Sequence, residues 1–355
     1  MKKNTQITLD DIAKKLNVSK VTVSKALRGH PDISKKTAQL VKKISQDLGY
    51  TPNYIARNLS SKKSNTIGVV VPKIAHYFFS AVIESIYDTA FKNNYEIILT
   101  VSQENVERET KHIESLLAMR VDGLIVSITQ QTRNVSIFEK VKRIGVPLTF
   151  IDRVLDISGA NIITVDDKGG TFQAIEHAIK LGYTKIAHLA GFPEINIGLR
   201  RYQGFEEAMK KYDIPINKEW VIYGGFGEEA GYNGFMKMYK NNNLPEFIFT
   251  VTYPVALGVY AAVQEVGLKI PEDIDIMCFG NSDINNFITP SLSCVDQPAE
   301  KLGRTAVELT IEQIKNLETF QSQIIEIPTS LLLRETCSKK GSSDHFNLHQ
   351  TEFII

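Results

Sequence analysis

In the stretch VSKVTVSKALRG, residues 18–29, the side chains of Val21, Ser24, Lys25 and Arg28 recur at i, i+3, i+4 and i+7, with Lys20 beside them. On a helix they form one outward face of cations, a hydroxyl and a β-branched apolar group. That face suits the major groove of duplex DNA. Lys20 and Lys25 match guanine O6/N7 or phosphate, and Val21 matches a thymine methyl. Ser19, Thr22 and Ser24 are short donors suited to phosphate oxygens. The same pattern also fits an ordinary amphipathic surface helix. Catalysis finds less support. No G-x-x-x-x-G-K-[ST], G-x-S-x-G or H-E-x-x-H occurs, and the 7 histidines are scattered. The pair Asp166-Asp167 is not read as a metal site, because Asp166 ends a strand and caps the next helix, so no cofactor or metal is implied.

The elements that position this face are short. Thr8 and Asp11 are spaced as a capping box, and Leu9, Ile12, Ala13 and Leu16 follow on one face. Ser19 is a natural N-cap and Gly29 a natural stop for the quoted helix, whose inward side is Val23, Ala26 and Leu27. A third helix begins near Ser34 and carries Leu40, Val41, Ile44 and Leu48 as its apolar stripe. Two short helices joined by a tight turn and braced by a third follow the helix-turn-helix plan. Charge agrees with that plan. Residues 1–65 hold 14 Lys/Arg against 4 Asp/Glu, a net of +10, while the remainder holds 27 against 36, a net of −9. A basic module on an acidic body points to a polyanion partner for the module alone.

From Thr66 the pattern changes to β-rich runs alternating with stretches of helical length, which implies parallel sheets covered on both faces. The run is long enough for two such sheets, with the chain crossing between them after about Asp152. A strand (SLSCV), a helix near 298–316 and a last strand (QIIEIP) return to complete two lobes. Cys278, Cys294 and Cys337 have no metal or redox spacing, and the first two lie in apolar runs, which fits buried free thiols. No apolar leader or membrane span is visible, so a cytoplasmic protein without a membrane partner is expected.

The run from ITLDDIAKKL to TIGVVVP, with its D-I-A, V-S-x-x-T-V-S, G-Y-x-P-N and A-R-x-L elements, resembles the amino-terminal signature of the LacI/GalR family of bacterial transcription factors. The resemblance is specific over about 65 residues and continues weakly to about Arg334. It implies an all-α helix-turn-helix headpiece (1–52), a hinge helix (53–65) and an α/β two-lobed periplasmic-binding-protein-like domain (66–335) of two doubly wound parallel sheets. Residues 336–355 are expected to be a flexible tail. It also implies a homodimer on pseudopalindromic double-stranded operator DNA, controlled by a small sugar-like effector. Within the hinge it places Leu59 as a minor-groove wedge with Ala56 beside it, Asn53 opening the helix, and Arg57 at the DNA backbone. A carbohydrate-binding protein or enzyme with an appended DNA-binding domain is the rival reading.

The resemblance further assigns cleft positions. His76, Phe78 and Phe79 follow the first strand of the body; Asp152 and Arg153 end a later one. Arg201 stands where family members reach across the cleft, and Phe226 where an aromatic lines it. The chain also departs from the family. Thr252 and Tyr253 replace an Asn-Asp pair, Gly280 replaces a second acid, and Lys73 stands where an acid is common. Three acids lost and one cation gained imply an anionic effector, such as a uronate or sugar phosphate.

Overall fold

Thr8 caps α1 (Leu9–Leu16) reciprocally: its hydroxyl accepts the Asp11 N–H, and the Asp11 carboxylate accepts the Thr8 N–H. Ser19 caps α2 (Lys20–Leu27) by accepting the Thr22 N–H at 3.0 Å, and Ser34 caps α3 (Lys35–Asp47) in the same way. Asn17 and Gly29, both at positive φ, turn the chain after the first two helices. Ile12, Ala13, Val23, Ala26 and Val41 meet in one small core, with Leu16, Leu27 and Ile44 packed around it. Leu40 departs from the expected stripe and is exposed, because it lies one helical position away from the buried Val41. Residues 7–51, 63–75 and 77–337 are described by this computed structural model. The chain divides into two compact units, Met1–Ser64 and Asn65–Ile355.

The second unit holds two six-stranded sheets. The first lobe comprises β1 (Thr66–Val71), β2 (Glu96–Val101), β3 (Gly123–Val126), β4 (Leu148–Ile151), β5 (Asn161–Val165) and β11 (Ile324–Ile327) in the order β11-β5-β4-β3-β1-β2, all parallel. The second comprises β6 (Ile186–Leu189), β7 (Val221–Ile222), β8 (Phe247–Thr250), β9 (Asp275–Phe279), β10 (Ser293–Asp296) and β12 (Ser330–Leu332) in the order β12-β10-β9-β8-β6-β7, with only β12 antiparallel. The first lobe's helices are α4 (Tyr77–Lys92), α5 (Val106–Ala118) and α6 (Ser136–Ile144). The second lobe uses α7 (Asp167–Lys180), α8 (Asn196–Lys211), α9 (Glu228–Lys240) and α10 (Tyr253–Glu265). The chain returns through α11 (Ala299–Lys315), which packs on α4.

Two sequence expectations need correction. The crossing to the second lobe comes after Val165, not Asp152. β5 stays beside β4 in register Phe150↔Ile162, so the 152–160 connection makes a parallel crossover without a helix. Nor do residues 336 and 337 belong to the flexible tail that was expected to begin there. Thr336 and Cys337 are buried, Thr336 Oγ1 accepts the Ser293 N–H at 2.7 Å, and the Cys337 N–H donates to Asp275 Oδ1 at 2.7 Å. Residues 338–355 lie outside the described residues. Asp166 caps α7 through the Gly169 N–H at 2.7 Å, as its position after a strand suggested. No helix among the described residues is long and apolar enough to cross a membrane.

His188 on β6 gives the second lobe a pH-sensitive core. Its Nδ1 lies 3.2 Å from the Phe249 carbonyl oxygen, and the rings of Phe205 and Phe249 enclose it at 5.2 and 5.4 Å. Burial pushes its pKa down to about 4, so the folded protein holds it neutral where the unfolded chain begins to protonate. From pH 6.5 down to 4 the unfolded state binds the extra proton, and about 3 kcal/mol of stability should be lost. Urea midpoints at pH 7 and pH 4.5, compared with those of His188→Phe, check this; parallel pH dependences in the two proteins would refute it.

Candidate functional site

The outward face of α2 is assembled as the periodicity demands. Val21 is 62% exposed, a large apolar side chain left to solvent at the helix's amino end. Each cation of the face has a partner: Lys20 Nζ lies 2.8 Å from Asp10 Oδ2, and Lys25 Nζ lies 3.0 Å from Asp32 Oδ2. Arg28 donates to the Ser24 hydroxyl at 3.0 Å and to the Ser24 carbonyl at 3.2 Å. Ser19 and Thr22 share one hydroxyl hydrogen bond at 2.8 Å, which leaves one proton of the pair able to donate to a phosphate. Asn53, Ala56, Arg57 and Leu59 lie outside the described residues, as does His76.

The second site is a cleft of about 810 Å³ whose walls come from both lobes of the body. Lys73, Glu104, Gln130 and Arg153 face it from the first lobe; Tyr223, Phe226, Asn233 and Lys237 face it from the second. Arg153 is the centre of this wall. Its Nη1 donates to Glu104 Oε1 at 2.7 Å, and its Cζ stands 4.7 Å from the centroid of the Phe226 ring. A cation of one lobe thus covers an aromatic of the other. The Arg153 Nε is buried without a hydrogen-bond partner among the described residues. Glu104 also accepts the Gln130 N–H at 2.8 Å, and Glu109 accepts the Thr129 N–H at 2.7 Å, so two carboxylates hold the loop after β3. Burial pushes the Glu109 carboxyl above its ordinary range. Asn196 ties the lobes behind the cleft: its Nδ2 donates to the Asp152 carbonyl at 2.8 Å, and its Oδ1 accepts the Val154 N–H at 3.0 Å.

Of the expected cleft residues that are described, Lys73, Arg153 and Phe226 line it, and Phe78, Phe79, Asp152, Arg201, Thr252 and Tyr253 are not among its lining. Phe79 is 4% exposed in the first lobe's core, where Phe78 packs against it edge-on at 5.3 Å, because the α4 face that carries Phe79 turns onto the sheet. Arg201 is 1% exposed and does not reach across the cleft. Its Nε and Nη2 both lie 2.8 Å from Asp167 Oδ1, its Nη1 donates to the Val251 carbonyl, and its Cζ sits 3.7 Å from the Phe279 centroid. Asp152 is buried, and burial raises its carboxyl above the ordinary range against the pull of Arg153 and Arg201. Tyr253 is buried at the start of α10, and Thr252 donates to the Phe226 carbonyl at 2.9 Å, which supports the wall rather than the lumen.

The cationic surplus read from the sequence also disappears. Arg153 is matched by Glu104 and Arg201 by Asp167, and the cleft lining carries Glu104, Glu228 and Glu229 beside Lys73, Arg153 and Lys237. The face of Phe226 is not open for a flat ring either. Arg153 covers it, and Gly191, at φ 68°, lies so near that any Cβ there would collide with the ring. Glu104, Gln130 and Asn196 went unread in the sequence. Glu104 had one usable signal, its place just beyond the carboxyl end of the parallel strand β2.

A basic helix-turn-helix unit joined to a two-lobed body with an interlobe cleft defines a ligand-responsive DNA-binding regulator. Residues 8–53 match the family model for bacterial regulatory proteins of the lacI family, and residues 175–337 match the periplasmic-binding-protein-like domain. The chain is 32% identical over 330 residues to the NTD biosynthesis operon regulator NtdR of Bacillus subtilis, covering 93% of this chain and 99% of that one. A Lac repressor dimer bound to operator and an anti-inducer aligns with a TM-score of 0.82 at 27% identity, covering 94% of this chain and 100% of that one. A LacI-family regulator from Enterococcus faecium with bound ribose aligns with a TM-score of 0.69 at 27% identity, covering 77% and 99%. The chain belongs to the LacI family of bacterial regulatory proteins, and it is a transcriptional regulator whose DNA binding is under effector control.

Proposed function

We propose that this regulator is a cytoplasmic repressor, without enzymatic activity, that works as a homodimer on a pseudopalindromic operator and answers to a small polyhydroxylated effector of no net charge. One observation carries the effector reading: Arg153 of one lobe stacks on Phe226 of the other inside a charge-balanced cleft. A molecule entering there must share or replace that contact, so its binding energy differs between lobe arrangements, which is the requirement for shifting a two-state equilibrium. The chain crosses between the lobes after Val165, after Asp296 and after Ile327, so a change in lobe placement loads three connections at once. The operator dimer and the ribose-bound regulator among its relatives support the dimer and the sugar-like ligand. In this reading residues 1–52 read DNA, 53–65 (with Asn53, Ala56, Arg57 and Leu59) couple to the minor groove, and 66–335 bind effector and dimerise.

The test uses full-length protein and an operator selected from random duplex. Fluorescence anisotropy with a panel of neutral sugars, uronates and sugar phosphates should find a neutral sugar that changes operator Kd by about tenfold or more. The same sugar should act less on Arg153→Met. A response confined to acidic sugars would overturn the charge reading, and a ligand that stabilises the body without changing Kd would overturn effector control. On the DNA side, Val21→Ala should relax base choice at one position per half-site by about tenfold. Lys25→Ala should lose affinity as well and flatten the salt dependence. Unchanged selection by Val21→Ala would show that the valine meets no base.

A further inference from the structure

Residues 1–65 contain only four acids, Asp10, Asp11, Asp32 and Asp47, in a segment of net charge +10. Two of them stand against the DNA-reading face of α2. Asp10 comes from the first turn of α1 and takes Lys20; Asp32 comes from the loop before α3 and takes Lys25, with His30 Nδ1 at 3.4 Å on the same oxygen. Their placement opposes the electrostatics of a phosphate-binding surface, since each carboxylate repels the duplex. Capping does not explain Asp10, because Thr8 and Asp11 already form the box that closes α1.

We propose that Asp10 and Asp32 are positioning residues that set the sequence specificity of the headpiece by holding Lys20 and Lys25. The inference rests on α2 being the helix that enters the major groove. A lysine is a point charge on a flexible four-carbon stem, and any phosphate within reach satisfies it. With one N–H committed to a carboxylate, the ammonium keeps two donors in a narrow range of directions. The pair has no net charge, so it gains little from phosphates along the backbone and loses little when they are absent. Its remaining donors then discriminate by what the base edge offers. An exposed pair of this kind is weak in water, but it strengthens in a groove from which water is excluded. The acids thus exchange general affinity for discrimination.

The experiment compares full-length wild type with Asp10→Asn, Asp32→Asn, Lys20→Met, Lys25→Met and the doubles Asp10→Asn/Lys20→Met and Asp32→Asn/Lys25→Met. Each is measured on the selected operator and on random duplex across a salt series, and each is used for selection from a random library. Asp10→Asn and Asp32→Asn should each bind random duplex several-fold more tightly and steepen the log K against log salt line by about 1. Each should also lower base preference at one position per half-site by about tenfold. In the doubles the loss of base preference should vanish, leaving the selectivity of the lysine variant, while the electrostatic gain on random duplex remains because the carboxylate is still gone; a merely structural role for either acid would not separate the two readouts. Unchanged base preferences in both asparagine variants would overturn the proposal, as would a loss of base preference that persists without the lysine. Salt-insensitive binding of random duplex by the wild type would instead remove the DNA-reading assignment of α2, and the proposal with it.

Discussion

Arg201→Leu is expected to lower the unfolding free energy of the protein's second unit by about 4 kcal/mol. Arg201 is among the largest fully buried side chains of the chain, and its charge is matched by Asp167 at 2.8 Å. Leucine replaces the stem of the arginine but leaves Asp167, itself 2% exposed, with no counter-ion. Even with Arg201 present, burial pushes the Asp167 carboxyl up to about 6; without it the carboxyl must climb further or ionise unpaired. The folded variant therefore binds a proton that the unfolded chain releases above about pH 4, so its stability falls as pH rises through that interval. Urea unfolding at pH 5 and pH 8 should show the larger deficit at pH 8. Arg201→Leu/Asp167→Leu should recover much of the loss, because replacing both members of a buried pair by apolar groups is often near neutral. Equal deficits in the single and double variants would show that packing of the guanidinium over Phe279, rather than charge pairing, accounts for the loss.

Gly258→Ala is the second change of large effect, at about 3 kcal/mol, with failure to accumulate as folded protein at 37 °C. Helices α9 and α10 cross in backbone contact: a Cβ on Gly258 would fall inside the van der Waals shell of the Glu228 carbonyl, and one on Gly231 would meet the Val255 carbonyl. Neither neighbour is a side chain able to rotate away. Separating the helices also moves the amino end of α9, which adjoins Phe226, so effector response should fall with stability. Gly227→Ala is the control. It is the N-cap residue of α9, at φ −111°, with nothing within 4 Å of where a Cβ would stand, and should cost only the loss of a glycine cap, about 1 kcal/mol or less. Comparable losses in the two variants, read from thermal unfolding, would place the sensitivity in the helix terminus instead of the crossing.

The headpiece was legible in the sequence because its determinants are local. Thr8 and Asp11, Ser19, Ser34 and Gly29 act within three or four residues of themselves, and a 3.6-residue period separates Val23 and Ala26 from Val21. The alternation of strands and helices likewise announced two parallel sheets. Periodicity carries no information about which sheet a strand joins, however. β5 was therefore expected beyond the crossing, although its ladder with β4 and β11 puts it before the crossing. Strand pairing is chosen by register and burial across the whole lobe.

The cleft was less legible, for the same reason at the level of charge. Arg153 and Arg201 looked like unspent cations because their acids stand 49 and 34 residues away in the chain. Only folding brings Glu104 and Asp167 to them, and the energy of a buried cation depends on that partner more than on its own position. A family position identified Arg201 as a cleft residue, yet it is buried, with Nε, Nη1 and Nη2 each bonded to an acceptor of the second lobe. By itself the sequence determined the three headpiece helices with their caps, the outward basic face of α2, and two sheets wound from strand–helix repeats. Tertiary structure decided which strands share a sheet, which charges cancel and which aromatic faces the lumen, because pairing and desolvation act through space rather than along the chain.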